Sequence, residues 1–99
     1  MKIFLDDVRH PLEGYVHLTT VEDCIKTLES QNVTDISFDH DLGTEKTGYD
    51  LAKWIEEQAF HNTLKRLNWT IHSANPTGRE NIVRAMTNAD KFWSKHAKS

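Results

Sequence analysis

One cysteine, Cys24, stands among 99 residues, which excludes an internal disulfide and fits a reducing compartment. Two prolines and four glycines are too few for a collagen-like or low-complexity chain. No apolar run approaches the ~20 residues of a membrane span. Basic residues are not in excess: 12 Lys and Arg face 15 Asp and Glu, for a net charge of −3 and a pI near 6.0. Such a balance offers no general attraction to nucleic acid or to an anionic membrane. The first apolar run ends in two aspartates, a pattern unlike a signal peptide. A cytoplasmic protein is therefore expected, with residues 1–99 forming a single domain. Three Trp, four Phe and two Tyr suffice for a small core.

What the chain does have is three short apolar runs that each end in acid or histidine. They are Lys2-Ile-Phe-Leu-Asp-Asp7, Asp35-Ile-Ser-Phe-Asp-His-Asp41 and Trp69-Thr-Ile-His-Ser73. Runs of this kind read as buried strands of a sheet covered by helices on both faces. Helical segments follow two of them, as parallel strands joined by crossover helices require. Ligands of such sheets bind outside the carboxyl ends of the strands. Asp6, Asp7, Asp39, His40, Asp41, His72 and Ser73 all fall at that edge.

Between these runs the pattern is regular. Val8 to Gly14 is a loop punctuated by Pro11, and Tyr15 to Thr19 has strand-forming composition. Thr20 with Asp23 opens a helix whose apolar face is Val21, Cys24, Ile25 and Leu28. Thr47 with Asp50 opens a second, with Leu51, Ala52, Ile55 and Ala59 on its face. A strand at residues 69–72 follows a basic connection. Thr77 with Glu80 matches a capping box for a last helix bearing Ile82, Met86, Ala89 and Trp93, and the polar tail after Lys95 is expected to fray. The order β-β-α-β-α-β-α, with right-handed crossovers, predicts a three-layer α/β sandwich on a four-stranded parallel sheet of order 2-1-3-4. Neighbouring strand ends then lie ~4.8 Å apart. The fourth strand is left as an edge needing cover, from the last helix or from a second chain in a weak homodimer.

Asp6, Asp7 and Asp39 are the candidate ligands for a hard divalent cation, because carboxylates gathered at one edge repel one another unless a proton or a cation offsets the repulsion. Asp41 is a fourth candidate, although a residue two places beyond the strand can point outward. His40 and His72 occupy matched strand ends, where one can accept a proton and the other donate one; ligation of a transition metal is the competing reading. Ser73 either bonds a phosphoryl oxygen or forms a turn. Arg9 and Arg79 are the cations placed to grip a phosphate, Arg79 in a helix's first turn, and Asn75 joins them as a candidate substrate contact. His10 lies near the site; His17, His61 and His96 lie outside it, and Cys24 belongs to the core.

Asp6-Asp7, Asp39 and Ser73 resemble the phosphoryl-handling quartet of two-component receiver domains. That resemblance implies a flavodoxin-like fold in which the acidic pair and Asp39 hold Mg²⁺. Three departures stand out: the first helix is reduced to the loop before Gly14, the fifth strand with its lysine is missing, and histidines occupy positions 40 and 72. With those departures the chain is more similar to the cyclic-phosphate-processing receiver-like family, on Leu5-Asp-Asp-Val-Arg9, Phe38-Asp-His-Asp-Leu-Gly43, Thr47-Gly-Tyr-Asp50 and His72-Ser-Ala-Asn-Pro-Thr-Gly78. The resemblance implies a hydrolase, a phosphodiesterase acting with Mg²⁺ or Mn²⁺ on a cyclic phosphate of a nucleotide-derived molecule or an RNA end. Under it His40 and His72 serve as acid and base, and Asp39 serves as ligand or nucleophile. The alternatives are a receiver that accepts a phosphoryl group in signalling and a non-catalytic cyclic-nucleotide binder.

Overall fold

The computed structural model describes residues 1–11 and 13–98. Leu12, which falls within the loop expected from Val8 to Gly14, and Ser99 lie outside the described residues. The elements run β1 (Lys2–Leu5), β2 (Tyr15–Leu18), α1 (Val21–Ser30), β3 (Asp35–Phe38), α2 (Gly48–Phe60), β4 (Asn68–Ile71) and α3 (Pro76–Ala97). All strand pairs are parallel and the order is β2-β1-β3-β4, the receiver-like arrangement expected from the apolar runs.

Register is what builds the site. Leu5 lies opposite both Leu18 and Phe38, and Phe38 opposite Ile71, so the four strands end level. The ladder continues one step further: Asp6 N–H donates to Leu18 O, Asp39 N–H to Leu5 O and His72 N–H to Phe38 O, at 2.9–3.1 Å. Asp6, Asp39 and His72 are therefore equivalent residues on neighbouring strands. Side chains two apart along a strand share a face, which sets Phe4 with Asp6 and Ser37 with Asp39.

Alternation also decides the core. Ile3, Leu5, Ile36 and Phe38 are at most 1% exposed and pack with Val21, Cys24 and Leu28 of α1, Leu51, Ala52 and Ile55 of α2, and Ile82, Met86 and Trp93 of α3. Among the described residues α1 packs on α2 and α2 on α3, forming one helical layer. The expected layering is corrected here from three layers to two. Both crossovers run in the same direction across the sheet, and right-handed connections then put their helices on the same face. The other sheet face carries Lys2, Phe4, Tyr15, His17, Ser37 and Thr70.

The helix ends depart from expectation in α3. Thr20 caps α1 by accepting Asp23 N–H, and Asp50 accepts Thr47 N–H at 2.8 Å ahead of α2. The last helix starts two residues earlier than the Thr77–Glu80 pattern implies: Asn75 is the N-cap, its Oδ1 accepting Gly78 N–H at 3.0 Å, with Pro76 in the first turn. Proline at that position lacks an N–H that would go unpaired anyway, so Asn-Pro outcompetes the later box. β4 begins at Asn68 and leaves His72 just past its end. At its other end α3 extends past Lys95 to Ala97. It also buttresses the β4 edge, through Arg79 Nη1 to Ile71 O (2.8 Å) and Trp69 Nε1 to Asp90 Oδ2 (3.0 Å).

Candidate active site at the strand ends

Asp6, Asp7 and Asp39 each bring a carboxylate oxygen within 4.8 Å of the other two. Asp6 is 1% exposed, Asp39 half-buried and Asp7 exposed. Burying a carboxylate is tolerated only where donors replace water, and Asp6 has them. Its Oδ1 accepts Val8 N–H (2.9 Å) and Arg9 N–H (2.8 Å), and its Oδ2 lies 3.0 Å from His72 Nε2. Burial alone would raise its pKa, but the Arg9, Val8 and His72 hydrogen bonds outweigh it and hold the carboxyl below its usual range. Asp39 goes the other way. Burial raises it and the charges of Asp6 and Asp7 add to the rise, against an opposing hydrogen bond from His40 N–H. An acid raised first by burial and then further by its acidic neighbours is consistent with a site short of positive charge. Oxygen donors of this kind, backed by fixed N–H groups, fit a hard cation such as Mg²⁺ or Mn²⁺.

His72 is held on three sides. Its Nδ1 lies 2.7 Å from Ser37 Oγ, its Nε2 meets Asp6, and its ring stacks on Phe4 at 4.3 Å and 6°. His40 is held differently. Its Nδ1 lies 3.0 Å from Asp41 Oδ1, and its ring packs so tightly against α3 that a Cβ at Gly78 would run into it. Gly48 meets the Asp39 and His40 backbone with the same intolerance of a side chain. Gly43 has φ +68° and sits 3.2 Å, measured from an ideal Cβ, from Asp7 Oδ2, so glycine serves both conformation and space there.

Not every expected residue joins the carboxylate group. Asp41 is exposed and outside the three-acid cluster; its oxygens go to His40 Nδ1 and, at 3.3 Å, to Asn75 Nδ2. Those two bonds hold its carboxyl below the usual range, the His40 contact contributing most. Asn75 is thus committed to capping α3 and tethering Asp41. Ser73 is buried, and its Oγ accepts Asn75 N–H at 3.1 Å. Arg9 and Arg79 bond consecutive carbonyls at the end of β4, Arg9 Nη1 donating to His72 O (3.1 Å) and Arg79 Nη1 to Ile71 O on the outer edge. Each spends one of five guanidinium N–H donors on the backbone and remains exposed. His10 is exposed beside them.

Of two further residues that support the site, one was placed outside it from the sequence and the other went unnoticed. His17 lies in β2 opposite Phe4, and its Nε2 is 2.6 Å from Asp6 O, so it is no bystander: it steadies the turn out of β1. Ser37, 7% exposed, was hidden inside an apolar run. A polar residue at a buried strand position is the signal that could have revealed it. A cavity of about 550 Å³ beside the connection into β4 is lined by Asn62, Lys65, Arg66, Trp93 and Lys98 among others, with no carboxylate side chain among the described residues of its wall. It lies apart from this chemistry.

The described strands thus form a parallel receiver-like sheet with three aspartates and two histidines at its carboxyl edge. Residues 1–88 match the family described as the cyclic-phosphate processing receiver domain. The chain belongs to that family, whose name carries a role in cyclic-phosphate processing. No curated protein and no solved structure matches the chain. Among the described residues no helix is long and apolar enough to cross a membrane.

Proposed function

We propose that this chain hydrolyses the ring phosphodiester of a cyclic phosphate carried on a nucleotide-derived molecule or an RNA end. The observation that supports it most is the gathering of Asp6, Asp7 and Asp39 within 4.8 Å beside His40, in a chain of the cyclic-phosphate processing family. These three residues would hold Mg²⁺ or Mn²⁺, which when bound neutralises phosphate charge and lowers the pKa of water. Arg9, Arg79 and the Ser73 hydroxyl grip the non-bridging oxygens and stabilise the charge that grows on them.

In the reaction, water oxygen bonds to phosphorus and one ring P–O bond breaks. One proton leaves the water and one reaches the departing oxygen. His40 carries one of them: Asp41 holds Nδ1 and fixes the ring, which leaves Nε2 for the exchange. His72 has both nitrogens on protein atoms, which supports a role in orienting Asp6 in place of the acid–base role first considered. Asp41 and Asn75 likewise act by holding His40, Asp41 through direct contact and Asn75 through Asp41.

The test is a panel of 2′,3′- and 3′,5′-cyclic nucleotides and an RNA bearing a cyclic end, incubated in ¹⁸O-water with added Mg²⁺. One ¹⁸O per phosphomonoester product, lost in the presence of chelator, is expected. Tight binding with the ligand returned unchanged would favour a binder. A stable phosphate adduct that disappears in Asp39→Asn would favour a signalling receiver.

A further inference from the structure

Ser37 Oγ, the His72 ring and the Asp6 carboxylate form a continuous chain, 2.7 Å at one end and 3.0 Å at the other. The residue order is that of a hydrolytic Ser-His-Asp triad, but the exposure is not. Ser37 is 7% exposed in the middle of β3, walled in by Phe4 on the neighbouring strand and by His72, so no substrate reaches its hydroxyl. The end of the chain that faces the site is Asp6. The chain runs inward from the carboxylate cluster and terminates on a buried hydroxyl.

Donor and acceptor roles follow from the ends. The Asp6 carboxylate is ionised and only accepts, so His72 Nε2 carries the hydrogen that meets it. In neutral imidazole Nδ1 is then an acceptor, and the Ser37 hydroxyl is the donor that satisfies it. With Asp6 Oδ1 already committed to two backbone N–H groups, the His72 contact is what sets the rotation of the remaining oxygen. We propose that Ser37 is a positioning residue: its hydroxyl selects the Nε2–H tautomer of His72, and that imidazole aims the Asp6 carboxylate at the space shared with Asp7 and Asp39. The functional consequence rests on the cation reading above; the tautomer does not. Without the hydroxyl, the Nδ1–H tautomer becomes accessible, and it turns a lone pair on Nε2 toward a carboxylate that can only accept. Groups of this kind behind a ligand are worth about 10–100-fold in metal affinity.

The experiment uses the whole chain and two readouts. The first is long-range ¹H–¹⁵N NMR of the histidine rings in cation-free protein at about pH 8, above the ordinary histidine range, with His72 assigned by its absence in His72→Gln. Wild type is expected to show Nε2 protonated and Nδ1 bare, Ser37→Ala a mixture of tautomers, and Ser37→Thr, which restores a hydroxyl on a residue suited to strands, the wild-type pattern. The second is Mn²⁺ affinity by electron paramagnetic resonance, about 10–100-fold weaker in Ser37→Ala and recovered in Ser37→Thr. A wild-type spectrum with Nδ1 protonated overturns the proposal without recourse to any variant. So does a Ser37→Ala protein with unchanged tautomer and unchanged affinity. Wild type that binds no Mn²⁺ while keeping the expected tautomer contradicts the cation reading and the positioning consequence, and leaves the Ser37–His72 assignment standing.

Discussion

Replacing Asp39 with asparagine should raise the melting temperature of the cation-free protein and abolish its stabilisation by Mg²⁺. Asp39 has carboxylate neighbours at no more than 4.8 Å. At that distance two unit charges repel by roughly 1–3 kcal/mol for effective dielectric constants between 80 and 20. Exposed Asp7 belongs at the low end and buried Asp6 higher, and proton uptake by Asp39 relieves part of both. A net gain of about 1–2 kcal/mol is expected, since the asparagine oxygen can still accept His40 N–H. For a chain of this size that is a rise of about 4–16 °C. The pH dependence has a definite sign. The folded-state pKa of Asp39 is raised, so its destabilising effect is absent below the unfolded value near 3.9 and grows as pH rises through the folded one. The gap between variant and wild type should therefore close in acid and open toward neutrality. Cation reverses the ranking: at 100 times its dissociation constant it stabilises wild type by about 2.7 kcal/mol and the variant far less. Scanning calorimetry in chelator, then in Mg²⁺, reads all of this. A variant that melts at or below wild type without cation, and gains as much with it, would refute the reasoning.

Other expectations follow from the same geometry. His40→Ala should lower turnover about 10²–10⁴-fold while Mn²⁺ affinity stays within a fewfold, as measured by steady-state kinetics beside metal titration. Gly78→Ala, which in an open helical position would gain up to about 1 kcal/mol, should instead displace the His40 ring and cost activity; a variant that is more stable and fully active would contradict the packing. Asp50→Ala removes the carboxylate that accepts Thr47 N–H. The folded pKa of Asp50 is lowered, chiefly by that bond, so its contribution of about 0.5–1.5 kcal/mol should be complete above pH ~4 and vanish as pH falls through the folded value, seen as converging denaturation midpoints.

The frame of the fold was readable because its signals are local and redundant. Each of β1 and β3 is an apolar run closed by aspartate, and level strand ends follow once the order 2-1-3-4 is adopted. The convergence of Asp6, Asp7 and Asp39 needs no more than that. Layering was missed because apolar runs report burial without reporting which elements cover each face: Phe4 is buried against the His72, Tyr15 and His17 rings and Ser37 against His72, on the face that carries none of the described helices. Asn75 was overlooked as a cap since two capping patterns overlap within three residues, and the Asn-Pro pair satisfied the backbone first. Asp41 and His72 show the same limit in the site. Strand period places a residue at an edge, but the partner its side chain finds there depends on atoms from other strands.

The most direct measurement of the central claim is ³¹P NMR of a 2′,3′-cyclic mononucleotide held with the protein in Mg²⁺, in chelator, and with Asp39→Asn. Conversion of the cyclic phosphate resonance to a phosphomonoester by wild type in Mg²⁺, and in neither of the other samples, is the result the account predicts. Conversion that proceeds equally in chelator, or equally with Asp39→Asn, would contradict it.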